Sequence, residues 1–344
     1  MIQNELQKQK IGSMRRTLFN KYIENISRKK RAEIDSGYKT IIKLNKNQNN
    51  MTYKCITQKK GTDGDAVVLK KKKITDANKR FVLNEPYILQ QILMARHPHI
   101  IKLRNIFIND TDDSLFMEME DCGVDLEQYM MDNSLKKLPT QNIQECLGSL
   151  LKALCYSHMM NVVHCDVKPS NILVKKRTDG SKSLDVQLTD FEVSLLKASD
   201  EFMISPNINV NSQGYRPPEI LTGQPFNESV DIWSTGCVLV FMCDIDLAKR
   251  LFVGSKDIQQ ELNAINIFAG PLPMHLFVDH NNVANTFRNI IYPSSQPLNF
   301  HDVFATIDES PRDMVRRMLA AETYERHNAQ SALMHDYLYI ENHK

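Results

Sequence analysis

At 344 residues, 42% hydrophobic and 24% charged with a formal net charge of +2, the chain is long enough for two lobes with a core each. It is too evenly charged for a global drive toward nucleic acid, and its seven cysteines (55, 122, 146, 155, 165, 237 and 243) are odd in number and never in CxxC spacing, which argues against disulfides or zinc and for a reducing compartment. The longest apolar run, Cys237 to Cys243, is far too short for a bilayer and the N-terminus lacks signal-peptide order, so a soluble intracellular protein without membrane contact is expected.

Residues 1–37 are polar and basic, with Arg15-Arg16 and Arg28-Lys29-Lys30-Arg31. They read as a nuclear address, a basic arm for a regulatory partner, or a solvated helical extension. Short strand-like runs follow at Thr40 to Ile42, Met51 to Ile56 and Ala66 to Leu69, with Gly61-Thr62-Asp63-Gly64 as a hairpin turn. A helix is predicted over Pro86 to Ala95, then strands around Ile100 to Ile108 and Ser114 to Met119. That describes a small lobe dominated by sheet. After Asp125 the pattern turns helical. Thr140 precedes Ile143, Leu147, Leu150, Leu151, Leu154 and His158, one buried face at helical spacing. Asp231 to Cys243 is apolar nearly all round, as in a helix at the centre of a lobe.

Between those two helices lies Val162-Val163-His164-Cys165-Asp166-Val167-Lys168-Pro169-Ser170-Asn171-Ile172-Leu173-Val174. Leu188-Thr189-Asp190-Phe191-Glu192, Gly214-Tyr215-Arg216-Pro217-Pro218-Glu219 and Asp231-Ile232-Trp233-Ser234-Thr235-Gly236 follow in that order. In this series the sequence resembles the protein kinase family, whose HRDxKxxN, DFG, APE and DxWxxG elements it matches. The resemblance runs from about residue 38 to the C-terminus. It implies an α+β, bilobal protein kinase fold: an extension at 1–37, a small sheet-dominated N-lobe at 38–120 and a larger helical C-lobe at 121–344.

The resemblance also implies roles. Phosphoryl transfer has a loose transition state, so the protein mainly positions groups and neutralises charge. Asp166 would take the substrate hydroxyl proton, and Lys168 would set a cation against the transferring phosphate. Asn171 and Asp190 would supply oxygen ligands to Mg²⁺. Val67-Val68-Leu69-Lys70 resembles the family's VAIK strand, which assigns the ATP phosphates to Lys70. Leu115 to Leu126 matches the family's hinge without a gap, placing Met119 at the gatekeeper and Glu120 to Cys122 against adenine. Val68 and Leu173 would sandwich the ring. Ser212, three residues before Tyr215, together with Lys168, points to Ser/Thr substrates. Glu219 is expected to pair with Arg326.

Three features depart from the family pattern, and the helix glutamate is assigned after them. The glycine-rich loop would fall at Leu44 to Tyr53, where Asn45, Asn47 and Asn50 replace the glycines. Asparagine tolerates left-handed backbone but hinders close approach to phosphates. The DFG glycine is Glu192. The arginine before the catalytic Asp is Cys165, so an activation-loop phosphate loses its usual partner. The helix glutamate is assigned to Glu85, fifteen residues after Lys70, a spacing similar to that of the Tyr-autophosphorylating and homeodomain-interacting kinases. Pro86 would hold it in a first helical turn.

The Tyr215-Arg216-x-Pro-Glu and Asp231-Ile232-Trp233-Ser234 elements resemble the branch of cyclin-dependent and mitogen-activated kinases. An eroded glycine loop beside retained catalytic residues resembles the divergent kinases of large DNA viruses. The expectation is an ATP- and Mg²⁺-dependent Ser/Thr kinase acting on protein substrates in cytoplasm or nucleus, of a host cell if viral. The rival is a pseudokinase scaffold. Survival of Lys70, Asp166, Asn171 and Asp190 together favours the enzyme. Nucleic-acid binding comes third, because no stacking aromatics accompany the basic N-terminus.

Overall fold

Residues 66–73 alternate sides, as an extended strand must, and the alternation sets the layout of the first half of the chain. Val67 and Leu69 point to one side, where they meet Ile34, Cys55, Phe107 and Phe116 in a buried apolar cluster. Val68, Lys70 and Lys72 therefore share the other side. The computed structural model describes residues 17–30, 33–34, 37–44, 50–58, 64–93, 97–197, 211–253, 257–277 and 299–339. It divides near Asp121 and Cys122 into two compact units, with residues 97–100 joining the second.

The first unit holds a six-stranded sheet: β1 (Arg28–Lys29), β2 (Tyr38–Lys43), β3 (Asn50–Thr57), β4 (Ala66–Lys73), β5 (Leu103–Asn109) and β6 (Ser114–Glu120). Their spatial order is β1-β5-β6-β4-β3-β2, and only the β1–β5 pair is parallel. Across β4 and β6, Val68 faces Met119, Lys70 faces Met117 and Lys72 faces Leu115. Directly opposed residues share a face, so a row of Val68 and two lysines lies beside a row of apolar side chains.

Two expectations change here. The extension is not a solvated helix over its described part. Residues 17–24 form α1, after which Arg28–Lys29 joins the sheet edge; Tyr22 and Ile26 are buried. The helix expected over Pro86 to Ala95 starts earlier, as α2 (Lys79–Val82) and α3 (Asn84–Tyr87), and widens into a π-turn at Ile88–Ile92. Pro86 explains the break. It has no N–H for the carbonyl of Val82, and its ring crowds that carbonyl. The π-turn, closed by Leu93 N–H on the Ile88 carbonyl, takes up extra length in this stretch. Ala95 lies outside the described residues.

The second unit is built on α4 (Leu126–Asp132), α5 (Thr140–Met159) and, further on, α7 (Ser229–Cys243), in which every residue is buried. Short strands β7 (Val124–Asp125), β9 (Ile172–Lys176) and β10 (Leu184–Leu188) pair in the order β10-β9-β7, and β8 (Val162–Val163) pairs with β11 (Leu195–Leu196). In α7 a Cβ on Gly236 would come within 2.8 Å of Leu319 and 2.9 Å of Met318, so only glycine lets the neighbouring segment pack this closely. α6 (Pro218–Leu221) contributes Glu219, whose carboxylate receives both Nη atoms of Arg326 at 2.7 and 3.1 Å, buried. The guanidinium also lies 5.1 Å from the centre of the Trp233 ring. Among the described residues, no helix is long and apolar enough to cross a membrane.

Candidate active site

In the first unit the chemistry gathers on the face of β4 that carries Val68, Lys70 and Lys72. Lys70 Nζ lies 3.1 Å from Glu85 Oε1, and Lys72 Nζ lies 3.3 Å from Glu85 Oε2. Glu85 is wholly buried, and Lys72 is only 4% exposed. Glu85 stands in the first turn of α3, as Pro86 requires, and still reaches β4. Lys72 is the residue that sequence reasoning missed. A lysine run is ordinarily a solvated strand end, whereas side chains at i and i+2 of a strand share a face. That periodicity was the available signal.

Of the remaining positions in this unit, Val68 is half-buried and Met119 buried, facing each other across β4 and β6. Glu120 Oε1 accepts from Lys102 Nζ at 2.9 Å. Asn45 and Asn47 lie outside the described residues. Asn50 opens β3, in register with Lys72.

In the second unit one carboxylate organises the site. Asp166 Oδ1 accepts from the backbone N–H of Ser212 at 3.0 Å and from its hydroxyl at 2.7 Å. Asp166 Oδ2 meets Lys168 Nζ at 2.8 Å and the Asn171 amide nitrogen at 2.9 Å. Lys168 Nζ in turn donates to Ser212 Oγ at 2.6 Å. Asn171 also donates to the Asp166 carbonyl at 2.8 Å, so both amide hydrogens are committed and its oxygen is directed elsewhere. The backbone N–H of Thr189 bonds the Asn171 carbonyl at 3.0 Å, tying the segment carrying Asp190 to the same loop. Asp190 is left-handed, φ +68°, a conformation that Asp adopts more readily than most residues. Glu192, in place of a glycine, does not have positive φ, so its side chain costs no backbone strain there.

The loop is anchored from α7. Asp231 is fully buried; its Oδ2 accepts from His164 N–H and its Oδ1 from Cys165 N–H, each at 2.8 Å, and His158 Nε2 lies 2.8 Å from Oδ2. Those bonds fix Cys165 at φ +64°. Burial, with the Asp231 carboxylate nearby, pushes the Cys165 thiol well above its ordinary range, so it is neutral. His164 packs edge-on against Phe191 at 4.7 Å and its Nε2 lies 3.0 Å from the Thr189 carbonyl. Leu173 is half-buried on β9. Cys122 Sγ donates to Gln187 at 2.8 Å. Gly123, at φ +91°, lies where a Cβ would strike the Val174 carbonyl at 2.2 Å, so only glycine serves there.

Each unit thus carries part of the pattern on which the resemblance rests: Lys70 and Lys72 on Glu85 in the first, and Asp166, Lys168 and Asn171 on one hydrogen-bonded loop in the second. The protein kinase domain family matches residues 39–338, and the chain belongs to that family. Its relatives include the mitogen-activated protein kinase HOG1 of Beauveria bassiana, 35% identical over 253 residues, covering 73% of this chain and 65% of the relative. The mitogen-activated protein kinase sty1 of Schizosaccharomyces pombe is 34% identical over 252 residues, covering 73% and 66%. The match thus spans slightly less than two thirds of these relatives. A solved kinase-domain crystal structure superposes with a TM-score of 0.72 at 20% identity, covering 88% of this chain and 95% of that one, which supports the fold.

Proposed function

We propose that the chain is a Ser/Thr protein kinase that transfers the γ-phosphate of ATP to hydroxyls of protein substrates. The observation that carries this reading is the Asp166–Lys168–Ser212–Asn171 network, in which every polar contact serves to orient one carboxylate. Asp166 holds the incoming hydroxyl in line and takes its proton, while Lys168 lies beside it to neutralise charge on the transferring group. The Ser212 hydroxyl, bridging Asp166 and Lys168, supports Ser/Thr over Tyr acceptors. Lys70, oriented by Glu85, holds the ATP phosphates. Val68, Met119 and Glu120 of the first unit, and Cys122 and Leu173 of the second, are the residues that the family resemblance assigns to adenine. The pseudokinase reading is not favoured, since a scaffold has no use for this network.

The donor set fits Mg²⁺. Asn171 and Asp190 offer hard oxygen atoms, and Mg²⁺ takes few protein ligands, completing its shell with water and phosphate oxygens. When bound, the metal would neutralise phosphate charge.

The test is phosphate transfer from labelled ATP to generic protein substrates by wild type and Asp166→Asn. Asp166→Asn should lower turnover by a factor of at least about 10² with nucleotide affinity nearly unchanged, because the side chain acts on the hydroxyl. Wild-type turnover in the variant would overturn the reading.

A further inference from the structure

α3 is four residues long, carries a proline and is followed by a π-turn, so it has little stability of its own. Yet Glu85, on this helix, must be held accurately for Lys70 to be oriented. The side of α3 away from β4 shows what holds it. The residue two beyond Glu85 is Tyr87, itself buried. Against its ring stand two aromatic rings of α1, Phe19 at 5.0 Å and Tyr22 at 5.3 Å, both edge-on. The Tyr22 hydroxyl donates to Gln90 Oε1 at 2.9 Å, one turn further along. Edge-to-face geometry is the favourable arrangement for aromatic pairs, so α1 fixes Tyr87 in direction as well as covering it.

α1 is itself fastened to the sheet. Ser27 and Lys29 carbonyls accept from the N–H groups of Ile108 and Asp110 at 2.9 and 3.2 Å, making β1 a parallel edge strand beside β5. Lys29 Nζ sits 4.4 Å over the Phe107 ring, and Ile26 is buried. Segment 17–29 therefore runs as a brace from the sheet edge to the back of the helix that bears Glu85.

We infer that Tyr22 and Phe19 are positioning residues for phosphoryl transfer, acting through Tyr87 to hold Glu85 against Lys70 and Lys72. The helix is kept in its working place by the chain's own N-terminal segment. This rests on the reading of Lys70 and Glu85 as the phosphate-positioning pair.

The test uses the full chain with Tyr22→Ala, Phe19→Ala, Tyr22→Phe, Glu85→Gln and, as a control on the same segment, Arg28→Ala. The Arg28 guanidinium is exposed and pairs with exposed Asp113 at 3.0 Å. Steady-state kinetics are read for ATP and for protein substrate, alongside hydrogen exchange of residues 79–93. Tyr22→Ala and Phe19→Ala should each lower kcat/KM for ATP about tenfold, leave KM for the protein substrate unchanged and speed exchange over 84–93. Tyr22→Phe, which keeps the ring, should recover most of the loss, and Arg28→Ala should behave as wild type. In a Glu85→Gln background, Tyr22→Ala should add nothing further, because both act on one pair.

A crippled Glu85→Gln beside wild-type kinetics in Tyr22→Ala and Phe19→Ala would overturn the brace while leaving the pair's role intact. Wild-type kinetics in Glu85→Gln would instead remove the role assigned to the pair. If Tyr22→Ala fails to fold, the more exposed Phe19→Ala decides: unchanged kcat/KM for ATP there overturns the inference.

Discussion

Glu85, wholly buried, offers one carboxylate to two ammonium groups, and the two lysines are not equivalent. The Lys70 side chain keeps 19% of its surface exposed, whereas Lys72 keeps 5%. Lys70 is thus the one that can reach a ligand, and Lys72 serves chiefly as a second clamp on the carboxylate. Removing one member of a buried ion pair is costly when it strands the other, but Glu85 would keep Lys70 if Lys72 were lost. Lys72→Met, similar in volume, should therefore leave the melting temperature unchanged or higher and activity within about tenfold of wild type. Lys70→Met should lose at least about 10² in turnover. Melting curves and turnover of the two variants check this, and the reverse order of severity would transfer the phosphate role to Lys72. In the sequence Lys70 was legible because Ala66-Val67-Val68-Leu69 sets the strand register. For Lys72 the strand alternation showed only that it shares the face of Lys70; that it holds a carboxylate thirteen residues away no local pattern could place.

At the level of elements, the loop bearing Asp166 is held by a helix residue, Asp231, that lies 66 residues beyond Cys165 in the chain. Asp231, at the start of α7, accepts two backbone N–H groups and fixes the left-handed turn at Cys165. Neither N–H has another route to satisfaction in that buried place. Asp231→Asn presents an NH₂ group to one of them and should destabilise the protein by roughly 1–3 kcal/mol. Turnover should fall with it, since the Asp166 backbone follows directly. Equilibrium denaturation and a transfer assay measure both; unaltered stability would show that the loop holds itself. The helix at 231–243 was legible as a buried one from its unbroken apolar run, and the motif residues were legible from their order. What joins the loop to the helix was not, because hydrogen bonds spanning 66 and 67 residues leave no periodicity. The early start of the helix before Pro86 was missed for a related reason. Proline signals a boundary, but only the folded neighbours show that helical turns precede it.

For the molecule as a whole, the expectation is that phosphate transfer does not depend on a phosphate on the activation loop. The family's usual anchor, an arginine before the catalytic Asp, is here Cys165, buried and neutral because burial and Asp231 raise its thiol. The other candidate cation, Arg216, is already engaged: its Nε donates to the Asn211 carbonyl at 3.2 Å, and its Nη1 lies 3.5 Å from Glu261. Glu261 is itself buried and also accepts from Gly214 N–H at 3.0 Å, so a phosphate would have to displace a carboxylate that the fold keeps in place. Meanwhile Lys168, Asn171 and Ser212 all hold the Asp166 carboxylate. The expected outcome is that phosphatase treatment, with mass spectrometry showing residues 193–215 unmodified, leaves turnover within about tenfold of the untreated enzyme. A larger fall, above about 1.4 kcal/mol in the barrier, would mean that a phosphate does order the site. Repeating the comparison on Arg216→Ala would then identify its anchor, because a variant already as slow as the dephosphorylated enzyme would gain nothing from the modification.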